Sequence, residues 1–308
     1  MGRFRPGPSI LSEDALDLQA YLSGKTELVN SGLNELLRTE EEYPQNLHRA
    51  MRYSLFAGGK RIRPALVLAS CEAVGGQLDE ALNTACAFEC VHTYSLIHDD
   101  LPAIDNDDMR RGRPTCHKAF GEAAAILAGD ALLTAAFEVI AATKTADPSK
   151  LIKVIAELSK AAGSVGMIGG QMVDIESEGE EVAFPVLEYI HIHKTGELIL
   201  ASVRSGAIMG GATQKELESL SRYGKSVGLA FQIADDILDV EGSADEMGKN
   251  TGGDEKKGKA TYPSLIGLDE SRKRAEELVS IALRALEGFG GKAEPLRAIA
   301  RYIVDRRK

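Results

Sequence analysis

From Ala123 to Ala142 the chain reads AAAILAGDALLTAAFEVIAA, twenty residues in which only Asp130 and Glu138 carry charge. A helix of this composition has no purely polar face to turn toward water. Its two charges, with Glu122 at its edge, leave it short of a membrane span, so it has to be buried among other helices. The segment from Val227 to Val240 has the same character. Around these two, Ala, Leu, Glu and Ile recur with helical periodicity, and alternating β-branched runs bounded by turns are missing. The chain therefore reads as all-α. The expected helices run Glu13 to Arg38, Tyr43 to Phe56, Ala65 to Val74, Asp79 to Asp100, Ala119 to Lys144, Pro148 to Asp174, Pro185 to Met209, Lys215 to Val240, Glu270 to Leu286 and Pro295 to Val304. A length of 308 residues leaves room for two domains of about 150 residues each. No linker separates two composition regimes, however, and a single large helical bundle over residues 13–308 is expected after a flexible segment 1–12.

Composition narrows the function. Apolar residues make up 44% and charged residues 27%, which is ordinary for a soluble globular protein. A net charge of -10 argues against nucleic acid, which needs a basic footprint. The basic residues cluster in GGKRIRP (Gly58 to Pro64), RRGR (Arg110 to Arg113) and GKNTGGDEKKGK (Gly248 to Lys259). Such islands suit compact phosphate groups. Cys71, Cys86, Cys90 and Cys116 form no C-x-x-C pair, and read as buried thiols of a reducing, cytoplasmic compartment. The opening MGRFRPGPSI has no apolar run after its charges and is not read as a secretory signal.

Two acidic stretches carry the chemistry. In AFQIADDILDVEG no helix breaker separates Asp235, Asp236 and Asp239. Asp235 and Asp239 then lie about 40° apart in azimuth and about 6 Å apart along the axis. Like charges one turn apart destabilise a helix unless a cation sits between them. In HDDLPAIDNDDMRRGRPT, Asp99 and Asp100 end a helix that Pro102 interrupts. On a straight helix Asp105 would lie about 240° from Asp99, so the two can share a ligand only if the chain loops at LPAI. Carboxylates without His or Cys partners favour Mg²⁺ or Mn²⁺ over zinc. Magnesium characteristically joins one or two carboxylates to substrate phosphates. A calcium loop counted from Asp105 fails, because Arg110 stands where glycine is required and Cys116 where glutamate is.

Six ordered motifs resemble the trans-isoprenyl diphosphate synthases, most of all their bacterial farnesyl diphosphate branch. They are GGKRIRP, HTYSLIHDDLPAIDNDDMRRGRPTCHKAFGEAAAILAGDALL, GGQMVDI, HKTGELI, GLAFQIADDILDV and GKATYP, within a resemblance running from Tyr43 to Lys308. It implies the isoprenoid synthase fold, with a central cavity between helices, and a homodimer. It also implies condensation of dimethylallyl or geranyl diphosphate with isopentenyl diphosphate to farnesyl diphosphate and pyrophosphate, assisted by three Mg²⁺ ions. On that resemblance Asp99, Asp105 and Asp235 are metal ligands, with Asp100, Asp236 and Asp239 acting directly or through water. Arg110 contacts the allylic diphosphate, as do Lys194, Lys249 and Lys259. Gly59, Lys60, Arg63, His92 and Arg111 form the isopentenyl site, and Thr195 and Gln232 face the developing carbocation. Tyr94, five residues and about 7.5 Å before Asp99 on the same helix, would close the product pocket, with Ser95 beside it.

A geranylgeranyl synthase shares all these motifs and differs only at the pocket floor. A terpene cyclase would not need GGKRIRP or His92. A non-catalytic partner subunit would carry degraded aspartate motifs, and both are complete here. A nucleotide-binding protein lacks its Walker glycine loop.

Overall fold

The computed structural model describes residues 16–241 and 260–305; residues 1–12, Lys249 and Lys259 lie outside them. In chain order the helices are α1 (Leu18–Leu36), α2 (Gln45–Leu55), α3 (Ile62–Ala73), α4 (Leu78–Asp99), α5 (Cys116–Phe120), α6 (Glu122–Ala141), α7 (Ser149–Ala162), α8 (Met167–Glu176), α9 (Phe184–Ile190), α10 (Glu197–Met209), α11 (Gln214–Glu241), α12 (Tyr262–Ile266), α13 (Leu268–Ala285) and α14 (Glu294–Asp305). The all-α expectation holds.

The packing is organised by α3 and α10, which are apolar on two sides. Val67, Leu68 and Cys71 of α3 and Leu198 and Ala201 of α10 enter a core shared with α1, α2, α4, α6 and α7. Leu66 and Ala69 of α3 and Ile199, Val203 and Ala207 of α10 enter a second core shared with α11, α13 and α14. The two central helices touch backbone to backbone at Gly206, where a Cβ would lie 2.0 Å from the Val67 carbonyl oxygen. Only glycine permits that approach.

Four departures from the expected elements have local causes. The expected helix from Pro148 to Asp174 breaks between α7 and α8, around Gly163 and Gly166. A Cβ at Gly166 would sit 2.2 Å from the Ala161 carbonyl oxygen, so the turn there requires glycine. The expected helix from Pro185 to Met209 is continuous, but a π-helical turn, His191–Gly196, is inserted between α9 and α10. The expected start at Ala119 is divided by Gly121, whose φ of +87° separates α5 from α6. Finally, Met109–Arg110 and Arg113–Pro114 pair as a minimal antiparallel hairpin, β1 and β2. Arg111 (φ 52°) and Gly112 (φ 73°) form its two-residue turn, where both central residues need positive φ.

Helix α6 corrects the sequence reading of its burial. By length and mean hydropathy (1.8) it meets the measure of a membrane-crossing helix. Its place in the bundle is set instead by one face, where Ala125, Ala128, Leu132, Ala136, Val139 and Ile140 are buried, largely against α4. The other face is open, with Ile126 and Leu127 exposed, so α6 forms an outer layer rather than a fully surrounded core.

Candidate active site

Pro102 acts as expected on the first acidic stretch. Helix α4 stops at Asp99, with Asp100 as its C-cap. The chain then turns back, so that Asp105 N–H donates to the Asp99 carbonyl at 2.8 Å and Asn106 N–H to the Leu101 carbonyl at 3.1 Å. Asp105 is thereby returned to the end of α4 beside Asp99. Burial pushes the Asp99 carboxyl up to about 6, with Lys194 opposing the shift and Asp105 reinforcing it. Lys194 comes from the π-helical turn, far along the chain, and also pairs with Asp174 of α8 at 2.6 Å.

Within α11, Gln232 lies one turn before Asp235. Thr195, next to Lys194, donates its hydroxyl to Gln232 Oε1 at 3.0 Å. The π-helical turn therefore stands between the two acidic motifs, with Lys194 toward Asp99 and Thr195 toward the face of Asp235. Glycines on both sides make room for it. A Cβ at Gly170 of α8 would lie 2.2 Å from Lys194 N, and one at Gly228 of α11 would lie 3.0 Å from Gly196 Cα.

Two of the basic islands, GGKRIRP and RRGR, meet near the end of α4, and the third lies outside the described residues. Arg110, leaving the hairpin, clasps Asp100 with Nε at 2.8 and 2.9 Å and Nη2 at 2.5 Å. Arg111 bonds the Gly58 carbonyl through Nη1. Its guanidinium occupies the space a side chain at Gly59 would fill, 2.6 Å from that Cβ position. Arg63 is brought down to about 10 by burial, with Glu89 and Asp235 opposing the fall. Its Nε is buried without a hydrogen-bond partner. His92 is held well below the ordinary imidazole range by burial and then by Arg63, Arg111, Arg110 and Arg61, so it is neutral at pH 7. Lys60 is exposed, donating to the Tyr302 hydroxyl at 3.2 Å.

Four candidates remain. Tyr94 is buried in the first core, edge-on to His98 at a centroid distance of 5.6 Å, and its hydroxyl has no hydrogen-bond partner. The Ser95 hydroxyl turns back to the His92 carbonyl at 2.9 Å. Asp236 is buried and engaged by His191 and by Tyr262 N–H. Asp239 lies one turn beyond Asp235 on α11 and is partly buried.

Two residues here received no role from the sequence. Asp174 sits in the quoted GGQMVDI, but nothing in that string announces its pairing with Lys194. Arg61 is the middle cation of GGKRIRP, yet unlike Lys60 it is buried, donating to Glu89 at 2.6 Å, Leu55 O at 2.5 Å and Asn30 at 3.1 Å. Which of three neighbouring cations is buried against a carboxylate cannot be read from a run of charges.

Comparison with known proteins places the chain in a family. Residues 44–288 match the polyprenyl synthetase family. A dimethylallyltranstransferase from Fischerella ambigua is 51% identical over 96% of this chain and 86% of its own length. A geranylgeranyl diphosphate synthase from Cyanophora paradoxa is 50% identical over 94% of this chain and 97% of its own. The crystal structure of an FPP/GFPP synthase from Zymomonas mobilis superposes with a TM-score of 0.85 at 40% identity, covering 94% of this chain and 100% of that one. The chain belongs to the polyprenyl synthetase family and has the isoprenoid synthase fold. It is a trans-prenyltransferase.

Proposed function

We propose that the enzyme joins an allylic diphosphate to isopentenyl diphosphate and releases pyrophosphate. The observation that carries this reading is the placement of Lys194 and Thr195 between the two aspartate motifs, beside a separate cationic cluster. Two diphosphates thus have two places to bind. Lys60, Arg63, His92 and Arg111 take the isopentenyl diphosphate. A neutral His92 among arginines offers a hydrogen bond without adding charge, and the unpartnered Arg63 Nε offers a donor. Lys194 and Arg110 take the allylic diphosphate, and Lys249 and Lys259 are proposed to join them. As the carbon–oxygen bond breaks, negative charge develops on the leaving diphosphate, and these fixed cations stabilise it where it forms. Thr195 holds Gln232 so that neutral oxygen dipoles, rather than a nucleophile, face the allylic cation. No side chain stands out as a base for the final proton loss, which the departing pyrophosphate accepts.

The donor set fits magnesium. Among the described residues no three acid, histidine or cysteine side chains stand close enough to hold an ion on their own. That suits a cation bound by one or two carboxylates and substrate phosphates. Asp99 and Asp105 would hold such cations from the first motif and Asp235 from the second, with Asp100 and Asp239 assisting, and the raised Asp99 carboxyl marks charge that a cation would offset. Bound Mg²⁺, three ions by family resemblance with Mn²⁺ able to substitute, supplies Lewis-acid stabilisation of the leaving group. We further propose a cytoplasmic homodimer.

For product length we infer twenty carbons, on the names of the geranylgeranyl synthases at 46–50% identity. The second reading, fifteen carbons, is favoured by Tyr94, a bulky ring five residues before Asp99. The experiment incubates purified protein with Mg²⁺, labelled isopentenyl diphosphate and dimethylallyl or geranyl diphosphate, then sizes the dephosphorylated alcohols. A C20 alcohol supports the first reading. A C15 alcohol that lengthens in Tyr94→Ala supports the second, and no elongation by the wild type removes both. Asp99→Ala and Asp235→Ala are each expected to lower turnover by orders of magnitude while circular dichroism stays unchanged.

A further inference from the structure

Asp236 stands in the middle of the second acidic motif, yet its contacts are those of a fastener. Its Oδ2 accepts from His191 Nε2 at 2.9 Å and from Tyr262 N–H at 2.8 Å. Three separate elements meet at that atom: the π-helical turn, α11, and the first residue of α12. The Tyr262 N–H is one of the donors that the start of a helix leaves without an intrahelical partner. Thr261 and Ser264 cap the same helix reciprocally, fixing the direction of that N–H. The Tyr262 ring is fully buried between His191 and Phe184, each at a centroid distance of 5.3 Å. His191 lies three residues before Lys194 and four before Thr195, and Asp236 follows Asp235 directly. On an ideal helix Asp236 points about 100° away from Asp235.

We propose that Asp236 is a positioning residue, acting through His191 and Tyr262 rather than on a cation. It fixes the register between the π-helical turn, which carries Lys194 and Thr195, and the helix that carries Asp235. This rests on the prenyltransfer reading above and deepens it, because it assigns one of the six aspartates to the scaffold.

Both hydrogen bonds fall on one oxygen, which gives a sharp test. Asparagine can present its carbonyl oxygen to both donors, but its amide nitrogen in the place of Oδ1 cannot ligate a cation. Asp236→Asn is therefore expected to stay within about threefold of wild type in kcat, as expected when hydrogen bonds are conserved. Its affinity for inorganic pyrophosphate in the presence of Mg²⁺, measured by calorimetry, is expected to be equally close. Asp236→Ala and His191→Ala, which break the fastener, are expected to lose about tenfold to hundredfold in kcat/KM for the allylic diphosphate. The KM for isopentenyl diphosphate is expected to stay unchanged, a split that general loss of folding would not produce.

Loss of Mg²⁺-dependent pyrophosphate binding in Asp236→Asn, to the extent seen in Asp235→Asn, overturns the proposal and makes Asp236 a ligand. Full activity in Asp236→Ala overturns it as well. If wild type binds Mg²⁺ and pyrophosphate but forms no prenyl product, the function reading fails while calorimetry on Asp236→Asn still decides the role of Asp236.

Discussion

Arg61 shows how much of a binding site is built beneath its surface. Its backbone is left-handed, at φ 48°, and its guanidinium is buried against Glu89. The loop it anchors carries Gly58, to which Arg111 bonds, and Lys60. Removing one member of such a pair strands a charge in a dry environment, at a cost of about 3–5 kcal/mol. Arg61→Leu is therefore expected to lower the unfolding free energy by about that amount in urea titrations. The double variant Arg61→Leu with Glu89→Leu should recover part of the loss, because the stranded Glu89 charge is removed with its partner. A loss below about 1 kcal/mol in the single variant, the size typical of an exposed pair, would show that water reaches the site. In the sequence, Lys60, Arg61 and Arg63 look equivalent. What separates them is a backbone angle and a partner 28 residues away, neither of which a charge pattern encodes.

At the scale of elements, the motifs were legible as strings, but several of their joints were not. Pro102 announced the end of α4, and the need for a loop at LPAI followed from helix geometry. The π-helical turn had no such signal, since HIHKTGELI holds no proline and its one glycine, Gly196, keeps helical dihedral angles. Its room is made by glycines on other helices, so it is a property of tertiary packing. Gly170 is the tightest of these, with backbone atoms of Lys194 at 2.2 and 2.7 Å from any added Cβ. Gly170→Ala must displace either α8 or the turn that bears Lys194. The kcat/KM for the allylic diphosphate is expected to fall by about tenfold or more, because small displacements of a positioning cation carry costs of that order. Gly288→Ala, where an added methyl meets nothing within 4 Å, is the control and should leave the enzyme unchanged. Equal effects from the two substitutions would disconnect the turn from catalysis.

At the scale of the whole molecule, helical periodicity gave the all-α class, whereas the layering came only from packing. Helix α6 is the clearest case, because an apolar sequence cannot say whether its second face is covered. The cysteines offer a way to read the bundle as a unit. All four are buried, Cys71, Cys86 and Cys90 completely. Burial raises every one of these thiols, Cys71 to about 11 and Cys86 to about 12. The thiolate is the reactive form, so a thiol reagent at pH 8 is expected to find almost none until the structure opens. Labelling then reports opening rather than thiol chemistry. Mg²⁺ and pyrophosphate that bind only the folded protein suppress global opening by mass action, about a hundredfold at a hundred times the dissociation constant. Labelling of Cys90, followed by mass spectrometry, should slow by that factor in their presence. If Cys90 labels at the same rate with and without them, it is reached through a local opening, and the two cores on either side of α3 and α10 unfold separately.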